Sequence, residues 1–388
     1  MIPPRLHATL DAVSVAALIA GPSLLGWPRR AVRPLALAGL GVAAYSLATR
    51  YRRGSSGALT LAEHRVLDAA QGIAVAGTAL SEPDRVIRQA MMGYAAFSFA
   101  AALLTSPEGP KGVPLPRAAW APATRRGDVW ELAPDLAYLR LGIVNVAFIG
   151  TSDDWVLVDA GLPGTAGAIL SAARRRFGNV PPRAILMTHG HFDHVGALRT
   201  LADHWQVPVF AHPQERPFLD GTRSYPPAAP EVGGGMMATT SPVFPRSPVD
   251  VSDHLHDLPV HGSIPHLDGW SWIHTPGHAP GHVSLWHEGR RVLLSGDAIV
   301  TTRQESACGA AMQMPELHGP PAYFTSDWQA AAASVRRLRD LDPALIVAGH
   351  GHAVAGPHMT AALDLLAHRF RELGLPATSR YLTGRGGA

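Results

Sequence analysis

Four side chains that can bind a metal ion lie within six residues of the chain. They belong to the segment THGHFDHVG, residues 188–196, which supplies His189, His191, Asp193 and His194. A chain leaving a buried strand can direct alternate side chains at one point, so His189 and His191 can hold the same ion. Asp193 and His194, in the opening turn of a helix, then face a neighbouring position. Imidazole nitrogen and carboxylate oxygen suit zinc, and also iron or manganese. Four such groups would repel one another without a cation, so the segment predicts a metal site.

Three further residues stand in similar settings, each at the end of a short apolar strand. His278 follows WSWIHTPG, Asp297 follows RVLLSG, and His350 follows ALIVAG. Each has a glycine directly before it, which lets the backbone approach a crowded site without strain. One such residue alone would be a weak candidate, but the three repeat one pattern. We therefore predict that all seven residues converge on one metal centre.

These motifs resemble the metallo-β-lactamase superfamily. The superfamily motif HxHxDH stands here as His189-Gly-His191-Phe-Asp193-His194, and the resemblance extends from about residue 128 to 371, over 60% of the 388 residues. It implies an α+β fold, an αββα sandwich. The segments TPGHAPGH and SGD are most similar to hydroxyacylglutathione hydrolases and lactonases, whereas flavodiiron-type members usually have Glu where His191 stands.

The resemblance also implies a role for each ligand. His189, His191 and His278 would hold the first ion, Asp193, His194 and His350 the second, and Asp297 would bridge the two. Asp159, in VLVDAG, matches the superfamily's strand-end aspartate that orders the site. We expect two zinc ions per chain, with iron or manganese as alternatives.

A dinuclear centre of this kind performs hydrolysis. Two cations about 3.5–4 Å apart can share a water molecule and lower its pKa to about 7, so that hydroxide attacks a carbonyl polarised by one metal. Asp193 would orient the hydroxide and take its proton. We predict hydrolysis of an ester, thioester or lactone in a small-molecule substrate. The alternatives are an iron-dependent oxidoreductase similar to sulfur dioxygenases, or a membrane transporter or sensor with a regulatory metal domain.

The elements that position these residues alternate between strands and helices. VNVAFIG, DWVLV, RAILM, WSWIH, HVSLW and ALIVA read as strands, AGAILSAARRRF as a helix ended by Gly178, and Ser326 as the cap of a helix over 327–340. His282 and His352 lie beside ligand strands and would support the carboxylates or touch substrate, with a plain structural role as the alternative.

Residues 219–250 are too rich in Pro and Gly for a regular element. We expect a substrate lid that offers Met236, Met237 and Phe244, or else a surface insertion.

The overall composition argues against a nucleic-acid partner. The net charge is only +3, with 16% charged residues, and no run rich in Lys or Arg is interleaved with aromatics. The single cysteine, Cys308, rules out an internal disulfide and fits a reducing compartment.

The first hundred residues differ from the rest. Apolar stretches at about 10–27, 32–49, 66–80 and 86–104 predict an all-α transmembrane domain over 1–106 that contacts the lipid bilayer through residues 10–104. The alternative is a soluble Ala-rich four-helix bundle, which Asp11 and Asp68 near the spans would suit. A Pro-rich linker over 107–127 and a catalytic domain over 128–388 would follow. Basic residues near the helix ends, Arg52 and Arg53 among them, favour a multi-pass membrane protein whose catalytic domain faces the cytoplasm.

Two of the apolar stretches open alike. His7-Ala-Thr-Leu-Asp11 begins the first and His64-Arg-Val-Leu-Asp68 begins the third, which indicates two duplicated two-helix hairpins. These His/Asp pairs form either a buried ion or cofactor site, or a polar clasp that fixes the packing of the hairpins. The clasp is the simpler interpretation.

Overall fold

The chain divides into two units. The computed structural model describes residue 2 and residues 4–51, 57–105 and 109–382. The first unit comprises Met1–Gly109 together with Gly233–Thr239, and the second comprises Pro110–Val232 together with Thr240–Ala388. Arg52 and Arg53, on which the predicted membrane orientation partly rests, lie outside the described residues, as do residues 107 and 108 of the predicted linker.

Four helices in two hairpins make up most of the first unit. They are α1 (Pro4–Leu24), α2 (Arg29–Ala48), α3 (Leu61–Leu80) and α4 (Arg85–Leu104). The start of α3 is a capping box, in which the Thr60 side chain accepts from the Glu63 N–H while the Glu63 carboxylate accepts from the Thr60 N–H. Asp84 caps α4 by accepting from the N–H groups of Val86 and Ile87. The four predicted helices are confirmed, and each begins before its apolar run.

The surface of this unit is unusually apolar. Within the described residues, α1, α2 and α4 are each long and apolar enough to cross a membrane, and between 22% and 33% of each candidate span is buried. Leu24, Leu47 and Leu80 are examples of large apolar side chains that are more than three-quarters exposed. The helix α3 carries Glu63, His64, Arg65 and Asp68 in its first turns and falls short of the same apolarity. A fourth span therefore stays a prediction.

The second unit contains two main sheets flanked by helices. Its strands are β1 (Val113–Pro114), β2 (Thr124–Arg126), β3 (Val129–Ala133), β4 (Leu136–Leu141), β5 (Val144–Thr151), β6 (Asp154–Val158), β7 (Ala184–Leu186), β8 (Val209–Ala211), β9 (Leu255–Asp257), β10 (Trp270–His274), β11 (Val283–His287), β12 (Val292–Gly296), β13 (Glu316–Leu317), β14 (Leu345–Ala348) and β15 (Val354–Ala355). Its helices are α5 (Ala166–Phe177), α6 (Phe192–Val195), α7 (Leu198–Trp205), α8 (Arg216–Leu219), α10 (Ala307–Met312), α11 (Trp328–Asp340), α12 (Pro357–His368) and α13 (Phe370–Leu373), while α9 (Met236–Thr240) falls largely within the first unit.

The two sheets pack face to face. The larger has the order β2-β3-β4-β5-β6-β7-β8-β9, and the smaller has the order β10-β11-β12-β14-β15. Alternation along β5 shows why they stack: Ala147 and Ile149 join a core with Leu285 and Leu294 of the smaller sheet, while the side chains between them face helices α5 and α7. The αββα sandwich expected from the sequence is confirmed.

Three details of the prediction are wrong. The segment 107–127 is not a free linker, because from Pro110 it belongs to the second unit and Thr124–Arg126 pairs with β3. Asp327 rather than Ser326 caps α11, since its carboxylate accepts from the Ala330 N–H. The segment 219–250 holds a short helix, Met236–Thr240, that its Pro and Gly content argued against.

Candidate metal centre

All seven predicted ligands come together at one edge of the sandwich. His189 and His191 lie in the loop after β7, and Asp193 and His194 lie in α6, which follows directly. The other three ligands, His278, Asp297 and His350, follow β10, β12 and β14. Because β12 and β14 are parallel neighbours, Asp297 and His350 leave the sheet at the same edge. The seven side chains are at most 7% exposed, Asp193 being the most accessible.

Three histidines form the first ligand group. The Nδ1 atom of His191 lies 2.9 Å from Nε2 of His278. His189 completes this group, whose ligand atoms all lie within 4.8 Å of one another. Nε2 of His278 lies 3.5 Å from Oδ2 of Asp297, so the bridging candidate borders this group.

The second ligand group contains Asp193, His194 and His350. Nε2 of His350 lies 3.5 Å from Oδ2 of Asp193 and 3.0 Å from Oδ2 of Asp297. Nε2 of His194 lies 3.5 Å from Oδ1 of Asp297. Asp297 therefore lies between the two groups, with Oδ2 near His278 of the first and His350 of the second, and Oδ1 near His194.

Hydrogen bonds on the far side of four of the five ligand imidazoles, all except His191, fix which nitrogen faces the centre. The Thr188 hydroxyl donates to the Asp159 carboxylate, so its oxygen accepts from Nδ1–H of His189 at 3.0 Å. In the same way, the Thr325 hydroxyl donates to the Pro321 carbonyl and accepts from Nδ1–H of His278 at 3.2 Å.

The remaining two rings follow the same rule. Nδ1–H of His350 donates to the Ile143 carbonyl oxygen at 2.7 Å, and Nδ1–H of His194 donates to Oδ2 of Asp159 at 2.8 Å. Each of the four imidazoles therefore directs Nε2 at the centre, and this nitrogen binds a metal ion when it carries no proton.

Asp159 supports the site without reaching its centre. It accepts from His194 and also from the Thr188 N–H at 2.8 Å. Its backbone has a φ of +63°, a left-handed conformation that Asp adopts more readily than most residues. The carboxylate thus ties the loop after β6 to the first metal-binding loop.

The two other histidines predicted near the site lie in different settings. Nε2 of His282 accepts from the Asp297 N–H at 2.9 Å, so it positions that residue and has no lone pair left for a metal ion. His352 lies 3.1 Å from an Arg140 guanidinium nitrogen and packs between Trp120 and Trp130. No hydrogen bond joins its side chain to a ligand residue in the described part of the chain.

The unpaired polar atoms of this site fit bound cations. Nε2 of His189, Nε2 of His194 and Oδ1 of Asp297 are buried, and none has a hydrogen-bond partner among the described residues. Buried polar atoms are normally satisfied, and these three converge on one region. A donor set of imidazole nitrogen and carboxylate oxygen, all in metal-binding form, fits a pair of divalent transition-metal ions.

Burial and mutual charge set the protonation of the ligands. Burial and the neighbouring histidines lower the pKa of His189 and His191 well below the ordinary value, and burial lowers that of His278 to about 4. Burial alone would raise the pKa of Asp297, but the charges of His350 and His194 outweigh it and hold the pKa well below its ordinary value. These groups present lone pairs and a carboxylate at neutral pH.

Sequence reasoning missed a buried carboxylate that joins two metal-binding loops. Glu215 accepts from the Gly190 N–H at 2.9 Å with one oxygen and from the Gly281 N–H at 2.7 Å with the other. It also accepts from the Tyr225 hydroxyl, and the Tyr225 ring packs against His191 with centroids 4.2 Å apart. A single Glu after Pro-Gln carries no sequence signal of this role.

An aromatic cluster borders the first ligand group. Phe324 stacks on His191 at 4.9 Å between ring centroids, and Phe244 lies 6.2 Å from Phe324 and 5.8 Å from Phe192. Phe244 thus lies one ring away from a ligand, and its contact with substrate stays a prediction. Met236 and Met237 belong to the helical unit, so a substrate-covering role for them stays a prediction.

Comparisons with known proteins agree on the family. The sequence model of the metallo-beta-lactamase superfamily matches residues 139–350. The probable metallo-hydrolase YflN of Bacillus subtilis is 44% identical over 255 residues, which cover 65% of this chain and 97% of that protein. The hydroxyacylglutathione hydrolase GloC of Haemophilus influenzae is 28% identical over 173 residues, 44% of this chain and 68% of that protein. The crystal structure of BLEG-1 B3 metallo-beta-lactamase is 25% identical with a TM-score of 0.42, covering 60% of this chain and 98% of that one.

Proposed function

The chain belongs to the metallo-beta-lactamase superfamily, and on this premise we propose that it hydrolyses an ester, thioester or lactone with two divalent cations, zinc in the first place. The family and its curated relatives support a metallo-hydrolase. The substrate class, the metal and the number of ions are our proposal.

One observation carries this proposal. Four imidazoles are each held by a hydrogen bond from Nδ1, so that their Nε2 atoms face the region around Asp297. Such locking has no purpose in a polar surface loop. Fixing the orientation of an imidazole lowers the conformational entropy of the side chain, and it is useful where a cation must be bound in a defined geometry.

The residues divide the work as follows. When bound, the cations would lower the pKa of a water molecule and polarise the scissile carbonyl. His189, His191 and His278 would hold one ion, Asp193, His194 and His350 the other, and Asp297 would contact both. Asp193 is the most accessible ligand, so its carboxylate is placed to orient the attacking water and accept its proton. No side-chain nucleophile is needed in this arrangement.

The aromatic cluster indicates the kind of substrate. Phe192, Phe244 and Phe324 offer an apolar surface next to His191, which suits an acyl chain or a lactone ring. The similarity to the hydroxyacylglutathione hydrolase supports a thioester as the first substrate to test.

We further propose that the helical unit lies in a lipid bilayer and that the catalytic unit faces the cytoplasm. Three of its helices are long and apolar enough to span, and many large apolar side chains on them are exposed. The match covers 97% of YflN, so that relative has no comparable helical unit. In this chain the helical unit is therefore an addition to the part that it shares with YflN.

The single cysteine allows a direct test of this orientation. Cys308 is exposed and is the only cysteine in the chain. In intact cells a membrane-impermeant maleimide should leave Cys308 unlabelled, and permeabilisation should allow labelling. Labelling in intact cells would place the catalytic unit outside, and recovery of the chain in the soluble fraction would refute membrane insertion.

Metal analysis combined with a substrate panel tests the hydrolase. Purified full-length protein is assayed on thioester, lactone, β-lactam and phosphodiester substrates, with oxygen consumption recorded in parallel. We expect zinc-dependent hydrolysis without oxygen uptake. Asp297→Ala should lose catalytic metal and turnover, because both ions share this ligand, whereas Asp268→Ala, at an exposed position, should keep both. Normal turnover by Asp297→Ala, or iron-dependent oxygen consumption, would refute the proposal.

A further inference from the structure

A second cluster of potential ligands lies in the helical unit. His7 and Asp11 occupy the first turns of α1, and His64 and Asp68 occupy those of α3, so each hairpin contributes one histidine and one aspartate. Both histidines are fully buried, and the two aspartates are 6% and 4% exposed. Four buried polar side chains in such an apolar unit require an electrostatic explanation.

The spacing of their atoms matches a metal coordination sphere. The two Nε2 atoms lie 3.0 Å apart, and Oδ2 of Asp68 lies 3.0 Å from Nε2 of His7 and 3.3 Å from Nε2 of His64. Oδ1 of Asp11 lies 3.4 Å from Nε2 of His7, and Oδ2 of the same carboxylate lies 3.2 Å from Nε2 of His64. A tetrahedral ion with bonds of about 2.0–2.1 Å places its ligand atoms about 3.3 Å apart. The observed separations agree with that edge to within a few tenths of an ångström.

The tautomer of one histidine is fixed from outside the cluster. The Thr49 hydroxyl donates to the Tyr45 carbonyl oxygen at 2.6 Å, so its oxygen accepts from Nδ1–H of His64 at 2.9 Å. Neutral His64 therefore presents a bare Nε2 lone pair to the cluster. On the other hairpin, Thr105 lies 2.6 Å from Nδ1 of His7, which repeats the same arrangement. Thr49 and Thr105 are the C-terminal caps of α2 and α4, so the duplication includes these supports.

Each carboxylate is also held by a tyrosine. Tyr45 donates to Oδ1 of Asp68 at 2.8 Å, and Tyr51 donates to Oδ2 of Asp11. This leaves Oδ2 of Asp68 facing both histidines. It is buried, and it makes no hydrogen bond with acceptable geometry among the described residues. Buried carboxylate oxygens are rarely left so unless an ion satisfies them.

A clasp built from protons alone does not account for this geometry. If both histidines were protonated, two N–H hydrogens would point at each other across 3.0 Å. If only one histidine were protonated, its charge would balance one carboxylate and leave the other buried and uncompensated, and with both rings neutral neither carboxylate would be compensated. A divalent cation removes the repulsion between the lone pairs and balances the two carboxylate charges in one step.

We propose that His7, Asp11, His64 and Asp68 bind one divalent transition-metal ion, zinc by preference, which joins the two helical hairpins. This site would be structural, because four protein ligands fill a tetrahedral ion and leave no position for substrate. It differs from the hydrolytic centre in ligands and unit, and it does not depend on the proposed hydrolase activity. Of the two interpretations that the sequence leaves open, the ion site and the polar clasp, this proposal takes the ion site.

Metal counting on the full-length chain tests the site. The triple variant His191→Ala/His194→Ala/Asp297→Ala lacks ligands for both catalytic ions and is unchanged in the helical unit. After reconstitution with zinc and desalting, it should retain about one ion per chain. Addition of Asp68→Asn, which keeps an acceptor for Tyr45 but removes the charged ligand, should reduce this to near zero. His261→Ala, at an exposed histidine, is the matched control and should change nothing.

A stability measurement separates ligand loss from misfolding. A strong chelator should lower the helical melting temperature of the triple variant, followed by circular dichroism at 222 nm, and added zinc should restore it. A triple variant that is folded but holds no ion would overturn the proposal, and so would an ion retained after Asp68→Asn. A failure of hydrolysis in the wild-type chain would leave these counts unaffected, so the two proposals fail separately.

Discussion

Replacement of Asp159 by Asn tests how strongly the site depends on the orientation of its ligands. Asp159 is 3% exposed and accepts from Nδ1–H of His194 at 2.8 Å. Asn fits the same volume and tolerates the φ of +63°, so the backbone should be undisturbed. Its amide oxygen, however, can accept from His194 only if the amide N–H group faces Thr188, and the hydrogen bonds that Asp159 accepts from the Thr188 N–H and hydroxyl are then lost. If it turns an N–H toward His194 instead, that ring takes the tautomer whose Nε2 is protonated and cannot bind metal.

The size of the effect follows from this one bond. A hydrogen bond to a buried charged group contributes about 1.5–3 kcal/mol. Loss of a carboxylate behind a metal-binding histidine weakens metal affinity about 10- to 100-fold, which corresponds to about 1.4–2.7 kcal/mol. The two ranges agree. We therefore expect the ion held by His194 to bind 10- to 100-fold more weakly, with the other ion retained.

Competition with a fluorescent chelator measures this affinity in the full-length chain. The matched control is Asp154→Asn, because the Asp154 side chain is 60% exposed and its partner Arg183 lies at the surface. The control should bind both catalytic ions as the wild type does. If Asp159→Asn binds both ions with wild-type affinity and turns over substrate at the wild-type rate, then the orienting role assigned to this carboxylate is wrong.

Three further predictions concern the rest of the catalytic unit. Glu215→Gln should lower the melting temperature by several degrees, because an amide N–H group replaces one of the two oxygens that accept from the Gly190 and Gly281 N–H groups, at a cost of about 1–3 kcal/mol. The control Glu288→Gln, at the surface, should melt as the wild type does. Equal melting curves for the two variants would refute the bridging role. Phe244→Ala should raise KM for substrates with apolar acyl groups about three- to tenfold with metal content unchanged, because the Phe244 ring would contact the acyl group. The control Val243→Ala, at an exposed position, should leave KM unchanged. An unaltered KM in Phe244→Ala would exclude a contact between Phe244 and substrate. Burial lowers the pKa of His278 to about 4, whereas Asp297 raises the pKa of His194 and His350, so protons should compete for the second ligand group at a higher pH than for the first. Metal content after desalting should therefore fall in two steps between about pH 8 and about pH 4, and loss of both ions in one step would contradict this.

The ligand set was predictable because its signals are local. His189, His191, Asp193 and His194 are close in the chain, so their proximity in space needs only a strand end followed by a helical turn. His278, Asp297 and His350 were predictable from a repeated pattern, since the ends of strands in one sheet meet at its edge. The errors lay where a local signal was ambiguous. Ser326 and Asp327 both suit a helix N-cap, and only the register of α11 against its neighbours selects Asp327.

The orientation of the ligands could not be predicted. Thr325, 47 residues away in the chain, decides which nitrogen of His278 faces the centre. For His350 the same choice depends on the Ile143 carbonyl oxygen, 207 residues away. Glu215 has no motif of its own and acquires its role because two distant loops present N–H groups to it. Sequence spacing carries no information about such partners.

The helical unit shows the same division. Its four helices, their duplication and the two His/Asp pairs can be read from the chain, because a helical period and a repeated pentapeptide are properties of neighbouring residues. Whether the pairs meet was decided by the packing of the two hairpins, in which α2 lies against α3, and this brings the two Nε2 atoms to 3.0 Å although they are 57 residues apart. Sequence alone thus determined which chemistry each segment offers. The tertiary structure decided which lone pairs converge, because convergence depends on contacts between residues that the chain holds far apart.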